Sequence, residues 1–486
     1  MNQYFKQIKG VLMKRHVYGG FARYAAVFFY SFFSLAFAQT NKTRITLQHQ
    51  RPRRAMLAAY SDVWMLKSED RLDGSILGTG FFYNGLNGKD LGQALGINNT
   101  SVITIKPNSV EGVDSRFMVR TPTTAPTSEL TFDLACQVKR AGVMLSYFQR
   151  LDGVEEGFYT SFHMPVIVDH RQIKMPILHQ IIDENGKQGI LDYLAGKEGR
   201  RLAMNLAEPL SFGKIIPGHH FTHGIADLEW VLGYNFLYDS PHHLGLDFTV
   251  VFPTGTRETA EKLFEPVVGS RHYTLGLGLS GYGRMIHTKR HRLYGYFDTT
   301  VYWVMKSFET RTLGIKEHPF GHYYLCGKRE GRGTTDIAFL PASQILTKEV
   351  KVNGLYVVEG AAGFAYGYCG FTFDCGYNLY SRAKEKISLK DDWIDNEYII
   401  PKPDKKSDDP ITNADIYLPL NKDVLDFEAA TSEEQLTHSL YACFSHTSFE
   451  SDYPLTLAGG ALYEHAHNPQ NELSGYLIFF KVGVSF

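Results

Sequence analysis

His219, His220 and His223 form the densest histidine group in the chain. Spacings of three and four can place imidazoles on one face of a helix, which is how two metal ligands converge. Pro217, Gly218 and Gly224 flank the group and oppose a helix, and no Glu or Asp completes an H-E-x-x-H pattern. Metal binding is therefore not expected, and His242–His243 reads as a solvated pair in a short turn. Ser280, His272 and Asp298 come nearest to a nucleophile, a base and an orienting acid, if all three point inward from neighbouring strands. No GxSxG elbow presents the serine, so the chain is not expected to be an enzyme. Gly276-Leu-Gly278-Leu-Ser-Gly281 has GxGxxG spacing, but it lies inside the alternation Tyr273, Leu275, Leu277, Leu279, and no helix follows. Its glycines read as small residues that allow close packing on an inner face, and no cofactor is implied. Cys136, Cys326, Cys369, Cys375 and Cys443 are too scattered to staple the chain. They read as packing residues, with a Cys369–Cys375 disulfide as the alternative.

The elements that would hold such groups are strands. A chain of 486 residues could form several soluble domains or one large barrel. With 14% aromatic residues, 29 Tyr and 33 Phe against 4 Trp, and 45 Gly, the composition suits tilted strands with aromatic girdles and tight turns. The net charge of -1 excludes a strongly basic nucleic-acid surface. At the amino terminus, Lys6, Lys9, Lys14, Arg15 and Arg23 precede an apolar run over 25–35, and Ala36-Phe37-Ala38 supplies small residues at cleavage positions. This predicts a signal peptide over 1–38 and a mature start at Gln39. An uncleaved anchor is the alternative, but the apolar run is about 14 residues where a helical span needs about 20.

Period-two alternation recurs along the chain. Leu130, Phe132, Leu134, Cys136 and Val138 alternate with Thr131, Asp133, Ala135 and Gln137, and Leu228, Trp230, Leu232, Tyr234 and Phe236 alternate with Glu229, Gly233 and Asn235. The pattern predicts strands near 129–139, 142–150, 156–168, 225–237, 243–253, 270–285, 292–306, 355–367, 369–381, 436–447, 453–466 and 474–486. Many are about ten residues, the length that crosses a bilayer at a steep tilt. The fold class is thus an all-β antiparallel transmembrane barrel of about twelve strands. The stretches 74–83 and 101–105 also look extended and would make fourteen. Links alternate short and long from the second strand onward, as periplasmic turns and external loops do.

In the last thirteen residues Tyr476, Ile478, Phe480, Val482, Val484 and Phe486 form one apolar face. This strand resembles the final strand of bacterial outer-membrane barrel proteins, which typically ends in Phe and is read by the assembly machinery. The matching residues are Tyr476, Phe480, Val482, Val484 and Phe486. The resemblance implies an outer-membrane location and contact with its lipids and with that machinery. Phe248-Thr-Val-Val-Phe-Pro-Thr-Gly255, followed by Tyr273-Thr-Leu-Gly-Leu-Gly-Leu279, is similar to a strand, turn and glycine-rich strand of porin-like transport barrels.

The barrel is expected over 129–486, after a leader at 39–128 that serves as a periplasmic extension or a plug. Insertions near 169–224, 307–354 and 382–435 form long excursions. The first suggests short helices, and 402–410 reads as a mobile external loop. The alternation assigns Asp133, Asp227, Glu229, Asp247, Asp298, Asp374 and Glu464 to the lumen, opposed mainly by Lys139, Arg150, Arg284 and Lys481. Twelve strands leave a narrow lumen. The expected function is passive diffusion of small solutes, with a non-conducting surface anchor or adhesin as the alternative.

Overall fold

The computed structural model describes residue 42 and residues 73–86, 88–93, 100–106, 113–114, 129–181, 189–197, 208–237, 242–288, 290–328, 339–401, 417–448, 452–468 and 472–486. The residues of the expected signal peptide, Ala36 and Ala38 among them, lie outside this set, as do 121–127 and 402–410.

On the final strand, Leu477, Phe479, Lys481 and Ser485 are buried while Ile478, Phe480, Val482 and Val484 are exposed. A soluble sheet would bury its apolar face; here that face points outward, as it does when lipid is the solvent. The same holds around the sheet, where Val143, Leu246, Leu277, Phe364 and Leu440 are exposed. The wall consists of β1 (Gly74–Gly85), β2 (Ala135–Arg150), β3 (Phe158–Lys174), β4 (Leu228–Leu237), β5 (His242–Phe252), β6 (Thr274–His287), β7 (His291–Val304), β8 (Leu355–Tyr368), β9 (Phe371–Arg382), β10 (Gln435–Ser448), β11 (Leu455–Ala466) and β12 (Gly475–Ser485). Each pairs antiparallel with its sequence neighbours, and β1 pairs with β12, so these twelve strands close into a ring. A further strand, Gly218–Ile225, continues the line of β4 and pairs with β3 above it.

Closure is fixed at the chain ends. The amides of Asp73 and Gly74 donate to the Phe486 carbonyl, and the Phe486 amide donates back to Gly74. Every link at this end is short; that between β8 and β9 is Cys369–Gly370, both with positive φ, the two-residue turn that suits strand twist. No disulfide joins Cys369 to Cys375: the first is exposed in this turn and the second is on β9. The opposite end carries the long excursions, so it is the external end and Phe486 marks the periplasmic one.

The count of twelve agrees with the sequence, but its membership does not. The predicted strands 129–139 and 142–150 are largely one strand, β2, because Arg140 and Ala141 continue the pleat without a turn. The first barrel strand is instead Gly74–Gly85, so the wall begins at 74 and not at 129. The stretch 101–105 is extended, yet it belongs to a small sheet of 113–114, 102–106, 129–133 and 177–181 outside the ring. Of the leader before Asp73 only Lys42 is described, and its ammonium binds the Glu428 and Thr431 carbonyls at the external end.

The first insertion is shorter than expected, since 169–174 and 218–224 are strand residues. It contains one described helix, Gly189–Leu194. The other two insertions fold together. Ser307–Thr312 pairs with Thr347–Val352, which pairs with Ile387–Leu389, and Leu325–Lys328 pairs with Tyr398–Pro401. Leu313, Ile315, Leu346, Val350, Ile400 and Leu425 form the core of this cap.

Candidate functional site

The inward face of the ring is the candidate site. Its side chains alternate with the lipid-facing set, so each is placed by strand parity. The structure places Asp227, Glu229, Asp247, Asp298, Asp374, Glu464 and Lys481 there, all buried, and adds Glu359, Arg140, Asp169, Arg171 and Arg382. Thr79, Thr249, Thr274, Thr300, Thr437 and Thr456 extend this polar wall. Arg284 shares the inward parity of Tyr282, and Arg150 lies near the periplasmic turn, 2.6 Å from Asp152.

Two expected members are corrected. Asp133 lies in the small sheet outside the ring, with Lys89 3.6 Å away. Its apolar neighbours Leu130, Phe132 and Leu134 face a dry protein core and not lipid, which inverts the parity inference. Lys139 faces outward with Ala141 and Val143, and Arg140 takes the inward place. The added residues carried uneven signals. Glu359 shares the parity of Leu355, Val357 and Ala361 and alternates with Tyr356, Val358 and Gly360, so its face was available in the sequence. Asp169 and Arg171 follow Val168, where the apolar alternation stops, and Arg140 falls in the gap assumed between two strands.

Aromatic rings and glycines pair across the inner face. Phe81 and Gly142, Tyr302 and Gly276, Tyr296 and Gly363, Tyr441 and Gly376, and Phe479 and Gly460 are register partners. A Cβ on any of these glycines would stand 2.4–2.9 Å from its ring. The rings therefore lie against the wall and do not project across the lumen, which only a residue without a side chain permits. Tyr296 reaches over β8 in this way and its hydroxyl donates to Asp374, while the Tyr441 hydroxyl arrives from the other side, 2.6 Å from that of Tyr296. Asp374 thus receives a fixed hydroxyl donor from a strand two places away.

At the external mouth the β9 end joins the cap through buried charges. Arg311 donates to Glu309 (2.8 Å) and Glu385 (2.6 Å), Arg382 donates to Glu385 (2.6 Å), and His272 Nε2 is 2.9 Å from Glu309. Burial opposes the Arg311 charge, but the Glu309 and Glu385 carboxylates outweigh it and hold its pKa above the usual value. Such a network contributes little net stability, and removing one partner strands the others.

The structure separates the residues considered for catalysis. His272 is engaged at this mouth, whereas Ser280 lies farther down β6, register-paired with Asp298. The imidazole beside Ser280 belongs to His243, with Nε2 3.2 Å from Oγ. His243 is buried and its ring stacks on Tyr282, so it is not the solvated turn residue expected. The strand Gly218–Ile225 sends His219 and His223 outward and His220 to the other face, where it binds the Ile216 carbonyl, so the three imidazoles do not converge. Gly276 and Gly278 face the lumen, the latter against the Asp247 carboxylate, and Gly281 lies under Phe297.

A closed antiparallel meander with an apolar outside and a charged inside defines a transmembrane β-barrel of the bacterial outer-membrane type. No protein-family model and no curated protein matches the sequence. Among solved structures, an outer-membrane channel from Pseudomonas putida F1 is similar at 9% identity and a TM-score of 0.38, covering 86% of this chain and 98% of that one. The β-domain of a Bordetella autotransporter is similar at 8% identity and a TM-score of 0.30, covering 85% and 99%. A FadL homologue from Pseudomonas aeruginosa gives 8% identity and a TM-score of 0.26, covering 93% and 98%. At these values no activity is taken from any of them.

Proposed function

We propose that this barrel is an outer-membrane channel for passive diffusion of small solutes and that it is not an enzyme. The observation that carries the reading is the inner wall, where Asp247, Asp298, Glu359, Asp374, Glu464 and Lys481 form a charged interior within an apolar exterior. A barrel acting only as an anchor has no need of so many buried carboxylates, each costly to desolvate. The close burial of these groups points to a narrow route. Assembly would proceed through recognition of the terminal strand, with Phe486 at its end.

A second reading is favoured by the cap, whose separate core makes it a folded surface platform. Recording from the refolded protein in a planar bilayer separates the two. The channel reading expects discrete conductance steps, and a silent bilayer with correctly folded protein would sink it in favour of the platform.

A further inference from the structure

On three adjacent strands the outward face turns from aliphatic to basic toward the external end. The row Val143, Val166 and Ile225 is aliphatic, the next is Ala141, Val168 and His223, and beyond it come Lys139, His170 and Phe221, then Gln137, Gln172 and His219. On β2 the outward run Tyr147, Leu145, Val143 and Ala141 ends at Lys139, and on β3 the outward run Phe162, Met164, Val166 and Val168 ends at His170. These ends mark the external edge of the apolar band, where the headgroups begin. Lys139 pairs in turn with His170, and His170 with Phe221, whose ring stacks on the imidazole at 4.3 Å. His170 Nε2 and His219 Nδ1 are 2.9 Å apart. The outward residues of β2 and β3 and of Gly218–Ile225 include no carboxylate; Asp169, the acid nearest in sequence, is buried on the inner face.

We infer that this face binds an anionic lipid of the external leaflet, with phosphate held by Lys139 and the His170–His219 pair and acyl chain laid along Val166, Val168 and Ile225. The charge complementarity is one-sided: an ammonium and two imidazoles stand at the end of exposed aliphatic runs. Phe221 is 63% exposed and stacks on the His170 ring, and His219 lies between His170 Nε2 and Gln172 Nε2, at 2.9 and 3.4 Å. The inference rests on the barrel lying in a membrane and is independent of whether it conducts.

The test uses full-length protein in detergent, with diphosphoryl lipid A and the same lipid stripped of phosphate as probes, and bound lipid measured by native mass spectrometry. Wild type should retain the phosphorylated lipid in clear preference to the stripped one. Removing the Lys139 ammonium should weaken retention about fivefold, the scale of one basic residue beside an anionic surface. Lys139→Glu with His219→Glu should therefore abolish the preference, while heat-modified gel mobility confirms that the barrel is folded. Lys139→Gln gives a milder variant if the double change fails to assemble. Equal retention of the two lipids by wild type, or unchanged preference in a folded variant, would overturn the inference.

Discussion

Tyr159 of β3 lies flat over Gly233 of β4, its register partner, so closely that a Cβ at position 233 would stand 2.1 Å from the ring Cζ. Nothing in the loop geometry requires this glycine; the ring does. Gly233→Ala must push Tyr159 toward the lumen or separate the strands, an overpacking cost of about 1–3 kcal/mol. Gly80, with its nearest atom at 4.0 Å and a lipid-facing position, should accept Ala with little change. Urea unfolding in micelles compares the two, and equal midpoints would show that the ring moves freely.

Strand parity makes a second prediction. Val482 is 41% exposed on the outer face of β12, and Gly483 is inward. Val482→Lys places an ammonium in the apolar band at about 2–4 kcal/mol near the midplane, less toward an interface. Gly483→Lys avoids lipid, although its bulk presses on the inner wall. Refolding titrations into lipid vesicles should rank Val482→Lys below the corresponding Val482→Leu by that amount; no difference would mean the residue does not meet lipid.

Most of the wall was legible because lipid and lumen impose opposite demands on alternate residues, so β12 and β4 could be read from period two alone. The same rule failed at 129–139, where Leu130 to Val138 alternate perfectly while facing a protein core above the rim. An apolar face states that it avoids water and does not say whether lipid or protein excludes it. Gly74–Gly85 was harder to place in the ring because Gly78 and Gly80 replace lipid-facing side chains with hydrogens. The Ser280–His243 contact and the mouth network join residues 37 and 74 positions apart, as no local pattern records.

His322 offers a pH test of the cap. Its ring is buried against Tyr323, with centroids 4.1 Å apart, and Nε2 has no hydrogen-bond partner among the described residues. Burial pushes its pKa down to about 3. An unfolded imidazole titrates near 6.5, so below that pH the unfolded segment takes up a proton that the folded one refuses. Stability is therefore full above about pH 6.5 and falls by about 1.4 kcal/mol per unit toward pH 3. Hydrogen exchange of the segment 313–328, corrected for intrinsic rate, should show protection falling between pH 7 and 4.5. His322→Phe should flatten that slope, and an unchanged slope would assign it to other groups.

The charge of the inner wall sets the selectivity expected of a conducting barrel. Asp247 on β5 and Asp298 on β7 flank β6, whose Gly278 and Ser280 are their register partners, so two carboxylates meet across small residues in the middle of the wall. Asp374 stands nearby on β9, beneath the Tyr296 hydroxyl. Lys481 lies on β12, and Arg140, Asp169 and Arg171 compensate one another toward the external end, with Arg140 3.5 Å and Arg171 3.1 Å from Asp169. Between β5 and β9 the inward carboxylates Asp247, Asp298, Glu359 and Asp374 outnumber the inward guanidiniums Arg284, Arg292 and Arg382. In a narrow, low-dielectric pore the sign of the local field selects the ion, so cations should be modestly preferred. The reversal potential under a potassium chloride gradient reads this directly. Asp247→Asn with Asp298→Asn should move it toward the non-selective value, whereas Asp133→Asn should leave it unchanged, because Asp133 stands outside the ring. A wild-type potential of the anion-selective sign, or an equal effect of Asp133→Asn, would show that the carboxylates of β5 and β7 do not face the conducting path.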